Sequence, residues 1–371
     1  MLDPIALPSP TDLGRFERPT VDGLARSLGI SYAAAELYLA SEVVDLHVES
    51  FSFTRSFGYD LRKRHGLGLH RAQFFGQADF PRLLEAGVNG AVWSITANPL
   101  RPTEDRAASF SAQLRELKGL FEAATPLVEF VRDFSEYRAA RARGAQAAFV
   151  GVQGANALDP DPARLGDFAS ELVKICLLHL TRNQLGATST WSGFATRDAG
   201  LGARGHEFIA AMNEQRVLVD LAHIHPRAFW EAVRAAHPGI PLLVSHTGVS
   251  GVHAHWRNLD DAQLRAVAAS GGTVGIMYHS AYLGDPLFAG RLASVARHIQ
   301  HALGVIGPEH VSLGSDWDGL ICTPRDMPTC LELPRLVQAL LGLGISEEAI
   351  EKVLGLNFLR ILGQVRPGAP S

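Results

Sequence analysis

The chain has 371 residues, of which 47% are hydrophobic and 19% charged, with a formal net charge of −4. That balance is typical of a globular protein and excludes a basic field for nucleic acid or for an anionic membrane surface. No run of about 18 uncharged apolar residues is present to span a bilayer.

The opening "MLDPIALPSPTDLGRFERPT" has neither a basic nor an apolar leader region, so a cytoplasmic protein is expected. Residues 1–40 read as an N-terminal helical extension around the amphipathic "TVDGLARSLGISYAAAELYLA". From there, eight apolar runs of strand length follow: "VVDLHVE" (43–49), "GVNGAVWSI" (87–95), "AAFVGVQG" (147–154), "ICLLHL" (175–180), "VLVDLAH" (217–223), "PLLVSH" (241–246), "GGTVGIMY" (271–278) and "HVSLGSD" (310–316). Helical patterns such as "DFPRLLEAG" and "NLDDAQLRAVAASG" separate them. Continuous apolar strands alternating with helices indicate a parallel sheet covered on its outer face, and eight units predict a closed (β/α)8 TIM-type barrel over residues 41–365. An open doubly wound sheet would want a Gly-rich phosphate loop after the first strand, where this chain reads "SFSFTRSFGYD". Residues 50–80 make a long connection suited to lidding a site, and the basic residues between Arg55 and Arg71 would favour an anionic substrate. "GISEEAIEKVLGLNFLRIL", capped by Ser346, predicts a closing helix before a short tail at 366–371.

Active sites on this fold gather where strands end at their C-terminal side. The predicted strands end in His47 and Glu49, Gln153, His223, His246, Tyr278 and Asp316, with Arg182 just beyond the fourth. In "VVDLHVESF", alternation puts Asp45, His47 and Glu49 on one side and Val44, Leu46 and Val48 on the other. The chain's three cysteines, Cys176, Cys322 and Cys330, form no CxxC pair, so a metal would be held by histidines and carboxylates. Such a set with a place left for water suits metal-assisted hydrolysis of an amide or ester, with Asp316 able to take the water's proton. Asp45 and Asp220 could hydrogen-bond the ligand histidines from behind, and Asp318 is expected to stabilise its turn.

The motifs "DLHVE", "VLVDLAHIHP", "LLVSHTGV" and "LGSDWDG", in this order, resemble those of the membrane (renal) dipeptidase family of zinc metallopeptidases, over roughly residues 40 to 365. The resemblance implies two zinc ions and cleavage of dipeptides. It places His47 and Glu49 on one ion, His223 and His246 on the other, and Asp316 as catalytic acid/base. It also implies that Arg257 receives the substrate carboxylate and that Tyr278 lies near the substrate.

Two positions depart from the family pattern. Gln153 stands where the family has a glutamate bridging both ions, and it offers one neutral carbonyl oxygen in place of two anionic ones. Arg182 in "LTRN" stands where the family has a histidine assisting the substrate carbonyl, and could itself polarise a carbonyl as a second catalytic residue. The expectation is therefore a hydrolase for a dipeptide or small amino-acid conjugate with one zinc ion in preference to two, and a metal-free site as the limiting case. The alternative is a repurposed, non-hydrolytic barrel, a biosynthetic tailoring enzyme or a ligand-binding protein. A small-molecule partner carrying a carboxylate is expected, no nucleic acid or membrane partner, and a homodimer is compatible with the sequence.

Overall fold

The computed structural model describes residues 13–66, 70–96, 98, 102–158, 161–190 and 200–368. Its strands are β1 (Val44–Val48), β2 (Gly90–Thr96), β3 (Val128–Phe130), β4 (Gln146–Gln153), β5 (Lys174–Cys176), β6 (Leu218–Asp220), β7 (Leu243–Thr247), β8 (Thr273–Ile276) and β9 (Val311–Leu313). All pair in parallel, in the order β2-β1-β9-β8-β7-β6-β5-β4, and pairing of β2 with β4 closes the ring. The expected eight-stranded barrel is therefore present, and β3 is an addition. It pairs with Gln146, Ala147 and Ala148 of β4, on the flank that β5 occupies from Gly151 onward. Three residues carry too little periodicity to be read as a strand.

Helices Val21–Leu28 and Tyr32–Ala40 precede the barrel, capped by Thr20 and Ser31. Ser346 caps helix Glu347–Glu351 as expected, and the following turns run into helix Asn357–Val365. This segment covers the N-terminal end of the barrel: Asn357 Nδ2 donates to the carbonyls of Pro308, ahead of β9, and of Val311, its first residue.

The barrel interior is layered. At the bottom, Val44, Leu46, Val92, Ala147, Phe149, Leu218 and Leu243, from five strands, share one apolar cluster. Above them the filling turns polar, with Ser94, Lys174, Asp220 and Ser245, all fully buried. Gly151 on β4 makes this layer possible, because a Cβ there would come within 3.0 Å of the Lys174 side chain. The top layer holds the candidate site.

β1 does not alternate throughout. Val44 and Leu46 join the interior cluster while Val48 packs with the outer core, and the register with β2 shifts between Asp45 and Val48. This bulge turns His47 inward directly after inward-facing Leu46. Asp45 consequently does not share a face with His47: its carboxylate accepts from the backbone N–H groups of His47 and Ser315. β7 repeats the device, with a register shift between Val244 and Thr247 that brings Ser245 and His246 both to the interior.

Outside the barrel, His298 on helix Leu292–Ile306 is fully buried, accepts at Nδ1 from the Val249 N–H and is held by burial at a pKa of about 4. Between its ordinary 6.5 and about 4, the unfolded chain takes up a proton there that the folded chain refuses, so this contribution is lost as pH falls. Urea denaturation of the wild type and His298→Gln should show the wild type more stable at neutral pH. That advantage should shrink over this window, and a pH-independent difference would contradict the assignment.

Candidate metal centre

Among the described residues, four buried polar atoms at the top of the barrel have no hydrogen-bond partner: His47 Nε2, Glu49 Oε1, Gln153 Oε1 and Asp316 Oδ1. Buried polar groups are ordinarily paired, so such a cluster needs a reason. His47 Nε2 lies 3.1 Å from Glu49 Oε1 and 3.7 Å from Asp316 Oδ1, close but not aligned for hydrogen bonding. Atoms spaced this way can share one ion at the usual ligand distance of about 2.0–2.2 Å. His47, His246 and Asp316 each offer a ligand atom within 4.8 Å of one another. His47, His246 and Asp316 thus fit a single metal ion, with Glu49 Oε1 beside His47.

Each arm is fixed locally. Glu49 Oε2 accepts from Thr96 and Ser52, which leaves Oε1 for the site. The His47 and His246 rings stack with centroids 3.9 Å apart. Asp316 sits at φ 62° and His223 at φ 65°, a left-handed backbone that few residues other than glycine adopt. Gly319 accommodates the Asp316 carboxylate, since a Cβ there would lie 2.2 Å from Oδ1. Asp318 secures the turn as expected, accepting from Ser50 Oγ and the backbone N–H groups of Gly76, Gln77 and Ala78.

The electrostatics of the site suit a cation. Burial pushes the carboxyls of Glu49 and Asp316 up, and for Asp316 the neighbouring Glu49 adds to it. Burial holds the imidazoles of His47, His223 and His246 well below their ordinary range, so the rings are neutral. His223 Nε2 approaches His246 Nε2 at 2.8 Å, which could form a second position. His223 and Gln153 supply no anion there, whereas the first position has Asp316, with Glu49 beside His47.

Behind the histidines lies a residue that the sequence reading missed. Lys174 Nζ is 2.8 Å from His47 Nδ1, 2.9 Å from Asp220 Oδ2 and 3.1 Å from Ser245 Oγ, and Ser245 Oγ is 2.9 Å from His246 Nδ1. Asp220 thus supports the histidines through a lysine and not directly, and its carboxyl is held low by the Lys174 ammonium despite the opposing effect of burial. Metal-bound imidazoles usually donate to a carboxylate or carbonyl. Here the group behind His47 is a cation.

A cavity of about 450 Å³ opens above these atoms. Arg257, buried, lines it with its Nε lacking a partner while Nη2 donates to the His246 carbonyl.

A sequence profile described as Membrane dipeptidase (Peptidase family M19) matches residues 32–369. The chain belongs to the membrane dipeptidase family. Dipeptidase verJ of Clonostachys rogersoniana is 30% identical over 303 residues, covering 77% of this chain and 75% of that protein. An uncharacterized protein from the pqqA 5' region of Klebsiella pneumoniae is 34% identical over 183 residues, 48% of this chain and 66% of its own length, just under two thirds. Among solved structures, a metallo peptidase from Rhodobacter sphaeroides, liganded with a phosphinate mimic of the dipeptide L-Ala-D-Ala, superimposes with a TM-score of 0.77 at 23% identity, covering 88% of this chain and 99% of that one. Enzymes of the membrane dipeptidase family are metal-dependent, and the clustered donors of this chain are in keeping with that chemistry.

At two positions the structure differs from what was expected of a membrane dipeptidase relative. Arg182 is exposed beyond β5 and is not among the residues lining the cavity. β5 ends at Cys176, so the chain turns early and His179 lines the cavity instead, its ring 4.7 Å from that of His223. Tyr278 is fully buried against Trp317, outside the cavity lining. The tyrosine that lines the cavity is Tyr282, carried there by the turn Ser280–Leu283. His179 was legible in "LLHL" as one more polar residue in the run assigned to a strand. Three of the basic residues after β1 do not line the cavity either: Arg55, Arg62 and Arg64 pair with Glu116, Asp60 and Glu85.

Proposed function

We propose that the chain is a hydrolase cleaving the amide bond of a dipeptide or small amino-acid conjugate with one zinc ion, held by His47, His246 and Asp316 with Glu49 beside them. The observation that carries this reading is the convergence of four unpartnered buried atoms, two of them carboxylate oxygens. One ion is favoured over two because the donors beyond His47, His246 and Asp316, namely His223 and Gln153, are neutral. When bound, the ion would acidify a water and polarise the scissile carbonyl.

The remaining chemistry falls to this chain's own groups. The Asp316 carboxylate, lining the cavity with Oδ1 aimed into the site, is placed to accept a proton from the attacking water and return it to the leaving amine. Arg257 offers Nε to a substrate carboxylate at the cavity floor. His179, neutral with a pKa of about 4, is placed to donate to the carbonyl oxygen as it gains charge. A small-molecule substrate with a free carboxylate follows.

Asp316→Ala should lower turnover of a zinc-supplemented dipeptide panel by about 10²- to 10⁴-fold. Equal turnover in the variant would remove Asp316 from this role. A second reading, a barrel that binds such a ligand without hydrolysing it, draws on Gln153 and on the cation behind His47. Ligand binding without turnover under any metal would favour it.

A further inference from the structure

The floor of the cavity is polar, but its mouth is not. Phe57, Leu180 and Leu320 line it and are 70%, 46% and 67% exposed, the most exposed of its large apolar side chains. Phe57 belongs to an aromatic cluster, with ring centroids 5.7 Å from Phe53 and 5.8 Å from Phe75, so that wall is held in place by packing. Met277 and Ile321 continue the apolar lining inward toward Asp316. Large apolar groups left in water around a cavity mark a surface that a ligand covers. The arginines that could have made this mouth anionic-selective are tied to their own carboxylate partners.

We propose that Phe57, Leu180 and Leu320 form a subsite for an aromatic or bulky aliphatic group on the substrate, at the end remote from the carboxylate held by Arg257. This rests on the reading of the cavity as the substrate site and adds to it the class of side chain accepted. An acidic or unsubstituted group in the same place would leave the apolar wall wet or desolvate a charge without a partner. Discrimination of this kind in an apolar pocket is worth about 10- to 200-fold.

The test uses the full-length zinc-supplemented protein and phosphinate dipeptide mimics that cannot be cleaved, alike except for a benzyl, methyl or carboxyethyl group at the position remote from the carboxylate. Calorimetry should show the benzyl mimic binding at least about tenfold tighter than the other two. In Phe57→Ser/Leu320→Ser the ratio of benzyl to methyl affinity should collapse toward one, while Leu356→Ser, an exposed apolar change outside the cavity lining, should keep the wild-type ratio. Equal or tighter binding of the methyl or carboxyethyl mimic, or an unchanged ratio in the double variant, would overturn the proposal. Turnover of the corresponding dipeptides is scored separately. A benzyl preference without cleavage counts against the hydrolase reading and supports the subsite.

Discussion

Replacing Gln153 by Glu is expected to raise the zinc content from one equivalent to two. The substitution puts an anion between the first position, held by His47, His246 and Asp316, and a second beside His223, where the nearby donors are neutral. Two dications about 3.5–4 Å apart repel strongly unless an anion lies between them, and Gln153 offers only a neutral oxygen, unpartnered in its buried place. Metal affinity should tighten on the order of 10- to 100-fold, the scale seen when a group supporting a metal site is changed. A second readout is independent of activity. Stripped of metal, the Gln153→Glu variant crowds three buried carboxyls together and should be less stable than the wild type, and zinc should reverse that order. A variant that still takes one ion, with stability unchanged by zinc, would show that charge at residue 153 does not limit the site.

Lys174→Met is expected to destabilise the fold by about 3–5 kcal/mol, the usual cost of removing one partner of a buried ion pair. Lys174 and Asp220 are both fully buried, and their contact of 2.9 Å is the charged centre of the polar layer under the site. Without the ammonium, the Asp220 carboxylate keeps its donors from Ser245 N and Ala222 N but loses its counter-charge. Lys174→Met/Asp220→Asn removes both charges and should recover most of the loss in urea denaturation. If the single variant is as stable as the wild type, the pair is not the structural centre described. If the double variant is as damaged as the single, the cost comes from packing around Gly151 and not from the unpaired charge.

The barrel was legible because its strands are buried on both faces and read as apolar runs between amphipathic helices, which is a pattern of composition and spacing. The histidines and carboxylates of the site were legible because they interrupt those runs at their ends. What escaped the reading is set by backbone geometry and by contacts between distant residues. Strict alternation put Asp45 beside His47, but the β1 bulge separates them, and no residue in "VVDLHVE" announces a bulge. Lys174 in "ELVKICLL" is one lysine at the start of a short strand, and its role depends on Gly151, Asp220, Ser245 and His47 arriving around it from four other strands. Tyr278 and Tyr282 are four residues apart, and only the turn at Ser280–Leu283 decides which of them reaches the cavity. For the fourth strand, an early end at Cys176 exchanged Arg182 for His179.

The most direct test of the account is the number of ions held by the wild-type protein. Metal-stripped protein is titrated with zinc by calorimetry, and the metal retained after dialysis is measured by mass spectrometry. The account predicts one tightly held equivalent per chain, lost in His47→Ala/Asp316→Ala. Two equivalents of comparable affinity, or none, would contradict it.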